Sequence, residues 1–384
     1  MSSQNLTIEK FPFFIGVLDT PDKYDLPKSL PITLSYDPKN SLIKQNYSAK
    51  IAHYLEKSYI KGSNISANLG QGSFGVRRAN DVLKYLKIAM KNKIKNKSIL
   101  EIGCADGYIL GELLKLGAKK VLGCEPNQSN INKNNENGVK IINDFYTPEK
   151  VNQKFDVVIS LGVLEHINGP HNFVKSQIES LKSNGILFFS VPNCEIKLML
   201  GDLKLLQHEH WNYFTRNSIT ELLKSCGLKN IKTVLSLNDA NIFAWANYNN
   251  DISIVKETYP VSDEQMFINF YEKVKKSSKV MIERAKSNIK DGKTMGFISG
   301  GLELMSILPC IDNPRFFDND ISKHGKFYPG YLNPIENPQN IKHKPINDLW
   351  ICATDYDDEI INSLKDIISD EVNIFSIKDM LLSL

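Results

Sequence analysis

Between Lys97 and Val191 the chain alternates short apolar runs with amphipathic segments, and this alternation narrows the fold more than any other feature. Ser98-Ile-Leu-Glu-Ile102 reads as a buried strand. A helix is expected from Tyr108, with Ile109, Leu110, Leu113 and Leu114 on one face. Further strands are expected at Lys120–Cys124, Val139–Ile142, Asp156–Ile159 and Ile186–Val191. A helix over Phe173–Leu181 is stopped by Asn184-Gly185. Ile231–Leu237 and Ile242–Tyr248 close the series as a hairpin-like pair. Strands alternating with helices imply a parallel sheet covered on both faces.

Open parallel sheets take ligands beyond the carboxyl ends of their strands, where strand order reverses. The first strand delivers Glu101-Ile-Gly-Cys-Ala-Asp-Gly107 to that edge. Its glycines, Gly103 and Gly107, permit a tight turn and close backbone approach. The spacing is G-x-x-x-G, which fails both the dinucleotide fingerprint and the Walker A pattern. A carboxylate ahead of the turn disfavours pyrophosphate and suits a cation. Glu125 ends the second strand, where a carboxylate can accept both hydroxyls of a ribose. Asp144 and Phe145 end the third, offering an acceptor and an aromatic ring for a base.

The remainder supports three consecutive parts: an N-terminal region over 1–94 that covers substrate, the alternating domain over 95–255, and a smaller α/β domain over 256–384. The last opens with a capping box, Ser262 and Gln265. Phe267, Phe270, Tyr271, Val274, Met281 and Ile289 then form a helical stripe. Net charge is only +4, without an arginine-rich stripe, which gives no argument for nucleic acid. No apolar run approaches membrane-spanning length, and MSSQNLTIEK lacks the regions of a signal peptide. None of the six cysteines stands at C-x-x-C spacing, so reduced thiols, a cytoplasmic location and no structural zinc are expected.

E-x-G-x-x-D-G at 101–107, G-C-E-P at 123–126 and V-V-I-S-L-G-V-L-E-H-I at 157–167 together resemble the class I methyltransferases. The resemblance implies an α/β Rossmann-like sheet, here with an N-terminal extension and a smaller C-terminal α/β domain, and S-adenosylmethionine as cofactor. It assigns Glu101, Gly103, Asp106 and Gly107 to the methionine side and Glu125 with Pro126 to the ribose. Asp144 and Phe145 fall to the adenine, with Leu161 and His166 along the cofactor. Ala105 stands where the family pattern has its middle glycine.

His208-Glu-His-Trp-Asn-Tyr-Phe214 follows the fifth strand, where such enzymes hold their acceptor. Titratable groups beside a cofactor pocket suit acid–base work. Two histidines and a glutamate also have the chemistry of metal ligands, but the neighbouring sequence supplies no third or fourth donor, so no metal is expected. The segment is similar to the H-E-H-x-x-Y-F signature of nucleotide-sugar C-methyltransferases. Phe317-Asp-Asn-Asp, Lys326-Phe-Tyr-Pro-Gly330, Pro334-Ile335 and Asp357-Asp-Glu-Ile360 resemble that family's C-terminal domain. The family acts on 4-keto sugars carried on a nucleoside diphosphate.

That resemblance implies His210 as the base, Glu209 as the group orienting it, and His166 and Tyr213 as donors to an enolate oxygen. It places His208, Tyr54 and Tyr59 on the substrate, while Gly300 and Gly301, in a turn between a strand and a helix, offer backbone amides to the acceptor's anionic nucleotide. The chain departs from the family at its start, which has no cysteine before Cys104. It departs again at Gln207, where tyrosine is common, and at Asp239-Ala-Asn241, where the family has Gly-Gly-Ser. Three functions follow: C-methylation of a nucleotide-linked keto sugar by a monomer or homodimer, O- or N-methylation of a sugar or related polar metabolite, or a non-catalytic nucleotide-binding scaffold.

Overall fold

The structure, a computed structural model, describes residues 5–13, 16–21, 26–60, 72–131, 139–248 and 261–384. The chain forms two compact units. One joins 35–195 to 209–264; the other joins 1–34, 196–208 and 265–384. The grouping is discontinuous, so the segment 1–94 contributes to both units.

The unit formed by 35–195 and 209–264 is built on a seven-stranded sheet. Its strands are β1 (Ser98–Ile102), β2 (Lys120–Cys124), β3 (Lys140–Ile142), β4 (Phe155–Leu161), β5 (Leu181–Pro192), β6 (Lys229–Leu235) and β7 (Asn241–Asn247). Their order across the sheet is β6-β7-β5-β4-β1-β2-β3. β1 to β5 run parallel, while β7 lies antiparallel to both β5 and β6. Side chains alternate across the pleat. Leu100, Val158 and Phe189 fill one core layer; Ile99, Val157 and Phe188 fill the other. Both faces being covered, the central strands are apolar throughout.

The expected class I α/β sheet is therefore present. The helix preceding β5 starts and ends earlier than expected, and the strand is longer. The helix spans Pro170–Glu179, and β5 begins at Leu181, paired with Phe155 ahead of a register shift. Lys182, Ser183 and Asn184 are exposed strand residues, so their polar character imitates a loop.

Asp156 in β4 ties the rear of the sheet together. It accepts hydrogen bonds from the Ser98 amide at 2.9 Å, the Ser98 hydroxyl at 2.7 Å and Lys182 at 2.8 Å. Burial opposes its ionisation, but the bonds from Lys182 and Ser98 outweigh burial and hold the carboxyl well below the usual range. A depressed folded-state pKa gives stability that is present above the unfolded value, about 3.9, and lost as pH falls through the folded value. Asp156→Asn should cost roughly 1.5–3 kcal/mol at neutral pH. Urea melts should show the gap from wild type closing only below the ordinary aspartate range. A gap that persisted unchanged into strong acid would contradict this role.

The other unit holds a five-stranded parallel sheet: β8 (Met295–Ile298), β9 (Arg315–Phe317), β10 (Ile335–Glu336), β11 (Asp348–Ile351) and β12 (Asn373–Ser376). The order is β10-β9-β8-β11-β12, so succession reverses at β8. The helix Asp263–Lys290 carries the expected stripe, with Phe267, Phe270, Val274 and Met281 buried. Ile289 is instead exposed. Arg284 and Asn288 on this helix bond the buried Asp348 carboxylate. All six cysteines are free, and no helix among the described residues is long and apolar enough to cross a membrane.

Candidate active site

Strand order in the seven-stranded sheet reverses between β1 and β4, so a ligand is expected at their carboxyl ends. The turn after β1 is there. Gly103 has φ +72°, and a Cβ on it would lie 2.5 Å from Val163, so no side chain is tolerated. Gly107 (φ +76°) begins the helix Tyr108–Lys115, and Asp106 accepts the Tyr108 amide at 3.1 Å. Ala105, at φ 46°, adopts the conformation glycine favours. Glu101 is buried at 2% exposure, and its Oε2 has no hydrogen-bond partner. Burial, then Asp106, then Glu125 raise its carboxyl well above the usual range. A buried carboxylate oxygen left unpaired is costly, and a cationic ligand would relieve that cost.

Glu125, at the end of β2, is buried and shapes the turn from the other side. Its Oε2 accepts the Ala105 amide at 3.0 Å and its Oε1 the Asn127 amide at 2.9 Å. Asn143 clasps the Glu125 and Pro126 carbonyls at 2.9 and 3.1 Å. Asp144 pairs with Lys150 at 2.6 Å and accepts the Phe145 amide at 2.7 Å. Phe145 is 65% exposed, and Leu161 packs at the edge of the core. These residues fit the sulfonium, ammonium and ribose groups of S-adenosylmethionine, which supplies an electrophilic methyl group.

A second group is assembled by backbone pairing. The short 3-10 helix Leu164–His166 follows β4. Segment 209–212 is laced along it. His166 Nδ1 donates to the Glu209 carbonyl at 2.9 Å, and the Trp211 amide donates to the Glu165 carbonyl at 2.8 Å. Asn212 donates to the Leu164 and Ile167 carbonyls at 3.1 and 2.8 Å. The His166 and His210 rings thereby meet edge to face, 4.9 Å apart. Tyr213 is fully buried, its ring 6.3 Å from that of His210. Glu165 lies beneath, 3% exposed, with Oε2 unpartnered. Its Oε1 stands 4.0 Å from His166 Nε2. Ligating atoms of Glu165, His166 and His210 all fall within 4.8 Å of one another.

Burial controls the titration of this group. It lifts the Glu165 carboxyl to about 8, against smaller opposing effects of a backbone hydrogen bond and then of Arg78. It lowers the His166 imidazole to about 4 and pushes Glu209 up to about 7. His210 is held well below its ordinary value by burial and then by His166. Both imidazoles are therefore neutral near pH 7. With Nδ1 donating to Glu209, His166 presents a lone pair at Nε2. That corrects its expected role: neutral His166 is an acceptor at Nε2 and cannot donate to an enolate oxygen.

The H-E-H triplet is divided between the units. Glu209 and His210 belong with the group above. His208 belongs to the other unit, its ring between Phe11 and Phe13 and its nitrogens 3.1 and 3.2 Å from the Pro12 and Leu30 carbonyls. There it serves as a packing residue, which argues against the expected substrate contact. Tyr54 lies on the helix Ala49–Ile60, its ring 5.6 Å from that of His53. Tyr59 shares that helix, but its side chain is outside the described residues. Gly300 and Gly301 form the turn after β8 with φ +112° and +113°, where Lys204 donates to the Ser299 carbonyl at 3.0 Å.

Glu165, Arg78 and Asn143 escaped the sequence reading. The signal for Glu165 was present, as a carboxylate within an otherwise apolar run at 157–167. Arg78 lies on the helix Gly72–Ala89.

Residues 76–233 match the family model described as methyltransferase domain. The chain is 33% identical over 124 residues to a ubiquinone biosynthesis O-methyltransferase of Pelagibacter ubique, covering 30% of this chain and 51% of the relative. It is 27% identical to a tRNA U34 carboxymethyltransferase of Pseudoalteromonas atlantica, covering 37% and 47%. The chain thus spans about half the length of these two relatives. Among solved structures, the DhpI-SAM-HEP complex is similar at 15% identity and TM-score 0.41, covering 53% of this chain and all of that one. The matched residues include β1 to β5, the parallel strands of the sheet described above, so this region is similar to a methyltransferase domain.

Proposed function

We propose that the protein methylates a small polar acceptor, a 4-keto sugar linked to a nucleoside diphosphate, at the carbon next to the ketone. The observation that carries this reading is the polar group formed by the buried Glu165 with the half-buried His166, Glu209 and His210, in the same unit as the proposed cofactor residues. A C–H beside a ketone is acidic enough to be removed by a positioned side-chain base. The proton passes to the Glu209–His210 pair, and the electron pair moves onto the ketone oxygen as an enolate. The enolate carbon then bonds to the methyl group as the sulfur–methyl bond breaks, its electrons staying on sulfur.

Two features favour a nucleotide-linked sugar. The segment 208–214 resembles the signature of enzymes acting on such compounds. The second unit has a parallel sheet that reverses order at β8, beside the turn Ser299-Gly300-Gly301, and sheets of this kind bind nucleotides at that edge.

The relatives' names favour a second reading, methylation of a hydroxyl, with the same pair deprotonating an O–H. Incubation with methyl-labelled cofactor and a panel of nucleotide-linked keto sugars, their 4-hydroxy counterparts and phenolic acceptors separates the two. Label on carbon of a keto sugar is the expected result. Label only on oxygen would remove the C-methylation reading and leave methyl transfer standing.

A further inference from the structure

We propose that Glu165, His166 and His210 form a binding site for a divalent transition cation, of which Zn²⁺ is the representative. The inference rests on the acceptor-site reading above and supplies something that reading lacks. Methyl transfer through an enolate needs positive charge or donors at the developing oxygen, and the tautomer of His166 removes it as a donor.

Geometry carries the proposal. The three side chains come from two separate stretches of sequence, and their ligating atoms lie within 4.8 Å of one another. Ligands about 2.0–2.2 Å from a tetrahedral ion stand roughly 3.4 Å apart. Side-chain swings of about 1 Å therefore close the group. The hydrogen bond from His166 Nδ1 to the Glu209 carbonyl fixes the ring and leaves Nε2 facing Glu165. A ligating histidine is ordinarily held in this way, through its other ring nitrogen. Glu165 contributes a buried carboxylate whose Oε2 has no partner, an arrangement that a cation resolves.

Two imidazoles and one carboxylate, with a coordination position left over, are the ligand set of catalytic zinc sites. Imidazole donors favour Zn²⁺ over Mn²⁺ and Mg²⁺. The sequence concealed the set because the third donor was sought beside the H-E-H triplet, whereas the fold brings it from 165–166. With His210 holding the cation, Glu209 is the member of the Glu209–His210 pair left to accept the proton.

The test uses the full chain, stripped with chelator and titrated calorimetrically with Zn²⁺, Mn²⁺ and Mg²⁺. One Zn²⁺ per chain should bind, with Mg²⁺ weaker by at least about 100-fold. Glu165→Gln and His210→Asn should each weaken Zn²⁺ by more than about 10-fold, since even outer-shell changes cost 10- to 100-fold. Co²⁺ bound to the wild type should give the visible absorption of a nitrogen- and oxygen-ligated ion, and both variants should lose it. Far-ultraviolet circular dichroism checks that the variants are folded; should one not be, the cobalt spectrum of the wild type and the other variant decide. Absence of stoichiometric Zn²⁺, or binding untouched by both substitutions, would overturn the site. Cation binding is read without any acceptor, so its failure is separable from failure of the methylation reading.

Discussion

His210→Asn is expected to lower methyl-transfer turnover by about 10²–10⁴-fold, the range a positioned acid–base group contributes. S-adenosylmethionine affinity should stay within about twofold. The residues proposed for the cofactor, Glu101, Gly103 and Glu125, lie at the ends of β1 and β2, whereas His210 sits on the segment laced to the 3-10 helix after β4. Its ring meets those of His166 and Tyr213, so the substitution removes acceptor chemistry and leaves the cofactor turn alone. Single-turnover rates with saturating cofactor measure the chemical step, and calorimetric titration measures affinity. A variant with normal turnover would contradict any role for His210 in proton transfer or in holding a cation.

Glu125→Ala should weaken S-adenosylmethionine by about 1.5–3 kcal/mol, as expected for hydrogen bonds to a charged group, or roughly 10- to 100-fold. Two losses combine here. The ribose hydroxyls lose their acceptor, and the Ala105 and Asn127 amides lose theirs, which loosens the turn. Glu125→Gln separates the two, because its amide oxygen still accepts one bond while the charge is gone. It should fall between alanine and wild type. Unchanged affinity in the alanine variant would mean that the cofactor residues have been wrongly assigned.

The sheet was legible because every central strand is apolar and bounded by glycine or a polar turn, and because acidic residues stand at three successive strand ends. Strand boundaries were less so. The exposed Lys182-Ser-Asn184 is polar although it is strand, since it lies in the register shift between the Phe155–Leu181 and Val157–Ile186 pairings. The residues proposed for the cofactor stood out because they occupy fixed places on consecutive strands. The acceptor group was only half readable. His166 and His210 stood out as residue types, but their meeting depends on hydrogen bonds from Trp211 and Asn212 to the backbone of 164–167, which no local pattern encodes. His208 misled for the converse reason. Its neighbours in sequence are titratable, while its neighbours in space are Phe11, Phe13 and two carbonyls.

Hydrogen exchange at the acceptor tests the central claim most directly. With S-adenosylhomocysteine in place of the methyl donor, and a nucleotide-linked 4-keto sugar in deuterated water, methyl transfer is blocked while deprotonation continues. The wild type should wash deuterium into the carbon next to the ketone, and His210→Asn should not. Methylation of a hydroxyl without any C–H exchange, or exchange undiminished in the variant, would contradict the account.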